Sequence, residues 1–190
     1  MKQIISFLFI FSFGYLKAQD VTRYVVLDSL ERQLDVFKEN ERVLLMFKPS
    51  FNEKDSLMII KFQKHAEEYE NIQIHSDPSF EELEKRRLKL VNEQNHIMKF
   101  EESVSKADSV LKLESRNWVK DYVQKEVRLY CYLKNIKPLL FGKQPLYMDK
   151  NAQNLIPELT DFINQSAWKE EYEYHFNFIK HKVLFDFNLE

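Results

Sequence analysis

The chain has 190 residues with 28 basic side chains against 30 acidic ones, so its formal charge is −2 and no basic excess is offered to a nucleic-acid backbone. A single cysteine, Cys131, excludes an internal disulfide framework. With only two glycines, the glycine-rich loops that cradle phosphates or dinucleotides are excluded as well.

Residues 1–18 read as a cleavable secretory signal: Lys2, an apolar run from Ile4 to Leu16, and the small Ala18 before the cut. The run is short and soon interrupted for a membrane span, the alternative reading being an uncleaved membrane anchor. No cysteine follows the cut, which argues against a lipid anchor there. Cleavage removes Lys2, Lys17 and Gly14, leaving a mildly acidic chain in which Gly142 is the remaining glycine. Sharp turns must then be few.

Residues 23–28, RYVVLD, predict a short strand, because Tyr24, Val25 and Val26 suit a pleated surface. From Ser29 the spacing of Leu30, Leu34, Phe37 and Leu44 becomes helical. Pro49 lacks a donor and clashes with the preceding turn, so the helix is expected to kink there. Phe51, Met58, His65 and Ile72 carry the seven-residue spacing onward, which favours a kinked continuation over a new domain.

The segment Ile74–Ser79 interrupts the pattern, and Ser79 with Glu82 forms a capping box that starts the next helix. That helix carries the strongest feature of the chain: Leu83, Leu90, Ile97, Val104, Leu111 and Trp118, each seven residues from the last. A repeat of seven keeps one narrow seam against a partner helix. The residues between are mostly charged, so a solvated helix with a thin apolar seam is expected to run to about Asn135, before Pro138. Cys131 falls near its end and reads as a small core residue, the alternative being a bond between chains. Two such helices joined at 74–79 predict an antiparallel hairpin.

Beyond Pro138, Leu139-Leu140-Phe141 and Leu146-Tyr147-Met148 flank Gly142–Pro145 and predict a β-hairpin. Asn154 is placed to cap a helix over Leu155–Asn164, with Pro157 in its first turn. In the aromatic tail, 165–190, Tyr172, Tyr174, Phe176 and Phe178 alternate with polar residues, as do Val183, Phe185, Phe187 and Leu189. Alternation favours two strands, although Trp168, Tyr172, Phe176, Ile179 and Val183 also fit one helical face.

No constellation for catalysis, metal or cofactor binding stands out, and the chain is read as non-enzymatic. The five histidines are scattered; His175 and His181 would need a turn between them to share a metal. Ser103, Ser105 and Ser109 have no base nearby in sequence. The run from Glu81 to Arg87 reads first as a solvated helix start, with Arg86 and Arg87 as candidates for transient contact with an anionic membrane surface. Phe62 and Phe100 fall off the heptad seam, and with Phe80 they are the candidate contacts for an apolar client.

Taken in order, a signal, a strand, a long helical hairpin, further strands and a small closing helix resemble the OmpH/Skp family of periplasmic chaperones. The resemblance covers roughly 22–164. It is carried by YVVLDSL at 24–30, like the family's opening strand and first helix, and by 139–164. There LLFGKQPLYMD is similar to the closing strands and NLIPELTDFIN to the final helix, with Asn154 where the family pattern has an acidic cap and Ile156 where it has threonine.

The resemblance implies a periplasmic α+β protein with a long, coiled-coil-like antiparallel hairpin, about 29–135, projecting from a small β body built by 23–28 and 139–148. It implies a homotrimer that holds unfolded outer-membrane proteins without ATP. Residues 19–164 would form this domain, and 165–190 an extension without counterpart in the family. Short strands are marginal alone, so Tyr24, Val26, Leu139, Phe141, Leu146 and Tyr147 are the candidate oligomerisation residues. The rival expectation is a structural coiled-coil adaptor of the cell envelope.

Overall fold

The computed structural model describes residues 22–75, 78–143 and 152–189. The chain is largely helical, with one small parallel sheet: β1 Arg23–Val26, α1 Leu27–Gln33, α2 Asp35–Phe47, a 3-10 turn Lys48–Phe51, α3 Asn52–His75, α4 Phe80–Leu133, β2 Leu139–Phe141, β3 Gln153–Asn154, α5 Ile156–Asn164 and α6 Trp168–Asp186. Two compact units divide it. The first takes its described residues from 22–34 and 123–166, the second from 35–122 and 167–189.

In the first unit β1 lies at the centre of the sheet, with β2 and β3 at its edges. Both edges run parallel to it; Tyr24, Val25 and Val26 pair with Leu139, Leu140 and Phe141, and Arg23 and Tyr24 with Gln153 and Asn154. Parallel partners need a long crossover between them, and α1 to α4 supply it before β2. The expected hairpin is therefore met only in its first arm, which pairs with β1; the second, 146–148, lies outside the described residues.

Valines 25 and 26 are buried with Leu30, Leu34, Val123, Val127, Leu159 and Ile163 of the same unit. Tyr130 meets Phe162 edge to face at 5.3 Å. Asn154 Oδ1 accepts the Ile156 amide at 3.0 Å and Pro157 sits in the first turn of α5, as its cap and proline predict.

The helix expected from Ser29 begins earlier, at Leu27, and is divided at Leu34, whose backbone is extended. Neither glycine nor proline marks that break. The division lets Leu34 join the core of the first unit and Val36 that of the second, both fully buried.

In the second unit the helices α2 and α3 run antiparallel to α4. Glu41 meets Arg116, Phe51 meets Phe100 and His65 meets Glu93, so partners descend along α4 as the chain ascends through α2 and α3. The 3-10 turn, with Pro49 near its start, is the kink between them. Helix α4 has 54 residues, about 80 Å at about 1.5 Å per residue. It ends on Asn135 at φ 50°, where the Ile136 amide returns to the Cys131 carbonyl at 3.0 Å, a left-handed stop made by asparagine in place of glycine.

The tail corrects the expectation of strands: residues 168–186 form α6. Its buried residues are Trp168, Tyr172, Phe176, Ile179 and Val183, a single helical face. Alternation misled because α6 is apolar on two sides, and the second set fills the polar positions that a one-sided helix would show. Helix α6 packs into the second unit alongside α2 and α4.

The heptad ladder faces inward throughout, with Val104 and Leu111 buried and Leu83, Leu90, Ile97 and Trp118 half-buried. The seam is thin only from 80 to 103. Within 104–122, where α6 joins, Ala107, Ser115, Val119 and Tyr122 are buried as well, because a third helix covers a second stripe.

Candidate functional site

The kink at Pro49 turns Phe51 toward α4, where its ring meets Phe100 edge to face at 6.2 Å. Phe47 contacts Phe51 from the other side at 5.3 Å. Around this step lies an open cleft of about 710 Å³, walled by Phe51, Met98, Phe100 and Val104 and edged by Lys48, Asn52, Asp55, Asn95, Lys99, Glu101, Glu102 and Ser105. Its wall is apolar and adaptable and its rim carries both signs of charge, a surface suited to apolar side chains from a flexible chain. Oδ1 of Asp55 is buried at the edge without a hydrogen-bond partner.

Of the three candidate client residues, Phe80 is 82% exposed. It borders a second, shallower depression of about 800 Å³ along α4, with Leu88, Lys89, Asn92 and His96. Phe62 is half-buried. Phe100 is half-buried too, held by Phe51 and by the Lys54 ammonium 5.4 Å from its ring centre. Its place off the heptad therefore does not free it, because the kink brings Phe51 over it. Met98 is 59% exposed on the wall of the same cleft.

Beyond the cleft, α3 is clasped to α4 by His65, whose Nδ1 lies 2.8 and 2.9 Å from the carboxylate oxygens of Glu93. Lys89 Nζ stands 3.4 Å from the other ring nitrogen. His65 was a rung of the predicted seam, so histidine serves here as a polar rung. Arg86 and Arg87 pair with Glu82 and Glu84 of their own helix at 3.0 and 2.7 Å. Their charge is thus partly met before any membrane surface is reached.

In the sheet, Val26 is buried, Tyr24 and Phe141 are half-buried, and Leu139 is exposed beside the exposed Leu140. Leu146 and Tyr147 lie outside the described residues. Cys131 is a half-buried free thiol whose pKa burial pushes up, which disfavours the reactive thiolate. His175 packs tilted against Trp118 with ring centres 5.2 Å apart, so one of the two tail histidines is committed to packing. Ser109 donates its hydroxyl to the Ser105 carbonyl one turn back.

Among the described residues no three His, Cys, Asp or Glu side chains gather to hold a metal ion, and no helix is long and apolar enough to cross a membrane. No family model, curated protein or solved structure matches the chain.

Proposed function

We propose that this chain is an ATP-independent periplasmic holdase of the OmpH/Skp type, secreted by residues 1–18, that binds unfolded outer-membrane or secreted proteins. The observation that carries the reading is the open cleft at the kink, with Phe51, Met98 and Phe100 inside a charged rim on an otherwise solvated pair of helices. Weak apolar contacts of this kind hold an unfolded chain by number, each one easily lost while escape of the whole client is slow. The reading takes α3 and the distal part of α4 as a hairpin projecting from a body built on β1 and β2, with three chains around one cavity. Exposed Leu139 and Leu140 on the edge strand support association through that body.

The test is aggregation of an unfolded β-barrel protein diluted from urea. Phe80 and Met98 are the residues to change, because Phe100 supports Phe51 and its loss would disturb the fold. Phe80→Ser with Met98→Ser should leave stability within about 0.5 kcal/mol and weaken protection of the client. Full protection by this variant would remove the two residues from the mechanism. Failure of the native protein to protect any client, with recognition of one folded partner, would favour the adaptor. Sedimentation at low concentration should give a trimer, and a fully helical monomer would overturn that part.

A further inference from the structure

Helix α6 is apolar on two opposite faces. One is buried, while Tyr174, Phe178 and Phe185 stand 71, 63 and 72% exposed. At about 100° per residue these three lie within about 40° of one another, with His181 about 20° outside them, and roughly opposite the buried face. Three large aromatics in one outward stripe mark a contact surface on a water-facing helix.

The stripe is patterned in charge and size as well. Its amino-terminal flank carries Glu170 and Glu171, and its carboxy-terminal flank His181 and Lys182. Turned end for end about the level of residue 176, the same face meets itself in complement. Tyr174 falls opposite Phe178, Glu171 faces Lys182 and Glu170 faces His181 along the two flanks of the seam, and the bulky Phe185 falls opposite the small, exposed Ala167. Lys182 already lies 3.2 Å from Glu114, but an ammonium has three donors and this one is half exposed. A parallel pairing would set acid against acid and Phe185 against Phe185.

We propose that α6 is a homotypic docking helix: two copies of this chain pair through it, antiparallel and two-fold, with Tyr174 and Phe178 at the centre. Such a contact is isologous and closes on two copies, so it makes no filament by itself. Three aromatics of about 200 Å² each, roughly two-thirds exposed, offer on the order of 400 Å² per copy, about half of a standard interface. The association is therefore weak and reversible, filled by concentration. It is independent of the holdase reading: α6 adds one two-fold contact per chain to whatever species the β body forms.

Sedimentation velocity of the full chain over a rising concentration series is the first experiment. The smallest species should give way to one of twice its mass, and Phe178→Glu, an exposed position, should weaken the doubling by about tenfold or more without changing the thermal melt. Leu139→Glu with Leu140→Glu tests the β body separately and should leave the doubling intact.

Orientation is read by cysteine pairing in a Cys131→Ser background. Glu170→Cys mixed with His181→Cys should form a disulfide-linked heterodimer. Either variant alone should not, because like positions would stand about 15 Å or more apart along the helix. A mass that does not change with concentration, doubling that survives Phe178→Glu, or equal cross-linking in the unmixed samples would each overturn the proposal. So would an unrelated protein bound to the stripe of a chain that never doubles.

Discussion

The hydroxyl of Tyr172 donates to Oδ1 of Asn40 at 3.2 Å, a buried hydrogen bond between α6 and α2. Asn40 is fully buried among apolar neighbours, and its Nδ2 has no hydrogen-bond partner. Trp118 flanks the pair from α4, its ring 5.9 Å from that of Tyr172. One polar contact thus lies where the three helices of the second unit meet, and it favours one register of α6 over a slid one.

Removing half of that pair should cost more than removing all of it. Tyr172→Phe strands both polar ends of Asn40, with an expected loss of about 1–3 kcal/mol. The double variant Tyr172→Phe with Asn40→Leu should regain much of the loss, because no buried polar group is then left unpaired. Urea unfolding of the two singles and the double checks this. Simple additivity would show that the bond does not couple the helices.

Alkaline pH should loosen the same junction. Burial, and secondarily the Glu39 carboxylate, hold the Tyr172 hydroxyl above its ordinary value, with Arg42 acting against them. The raised folded pKa means that the native state keeps the proton after the unfolded chain begins to lose it. This contribution is complete below the unfolded value of about 10 and is lost as pH rises from there toward the folded value. Thermal melts between neutral pH and strongly alkaline pH should therefore fall more steeply for the native protein than for Tyr172→Phe. Parallel slopes would assign the alkaline loss to other groups.

Phe176 and Phe178 offer the sharpest check on α6. In a strand, residues two apart share a face; in this helix Phe176 is 7% exposed and Phe178 63%. Phe176→Ala should cost about 3–5 kcal/mol and Phe178→Ala under about 0.5 kcal/mol. Equal costs in chemical unfolding would return the tail to the strand reading.

The ladder should be graded along its length. Leu111, fully buried, should lose about 2–5 kcal/mol on change to Ala, and Leu111→Asp should unfold the second unit. Ile97, half-buried where only α3 covers α4, should lose less on change to Asp, with partial loss of helicity by circular dichroism. Matching losses at the two sites would mean that the seam is equally wide throughout.

The clasp on α3 is weaker again. Glu93→Gln removes the charge that faces His65 across the hairpin, and a partly exposed pair of this kind is worth about 1 kcal/mol. The effect should show locally, as faster amide exchange in α3 with little change in α2. Uniform acceleration in both helices would mean that they open together.

Much of the architecture is local enough to be written in residue spacing. The strand at Tyr24–Val26, the kink at Pro49, the start of α4 at Ser79 and its stop after 133 follow from single residues or short repeats. The serine half of the capping box is formed, with the Glu82 amide donating to Ser79 Oγ at 3.2 Å, while the Glu82 carboxylate turns to Arg86. The inward face of the ladder was legible for the same reason, since a seven-residue repeat defines a seam whatever partner covers it.

What tertiary structure alone decided is which apolar side chain meets which. The parallel pairing of β1 with β2 joins segments separated by four helices, and no local signal encodes such a pairing. Leu34 breaks a helix without glycine or proline because two cores claim its neighbours. Phe100 left the exposed surface because the kink turned Phe51 onto it, and Met98 took its place on the open wall of the cleft. The tail, apolar on both sides, fitted two periods equally well in sequence. Burial of Trp168, Tyr172, Phe176, Ile179 and Val183 against α2 and α4 settles the choice, because only a helix brings all five to one side.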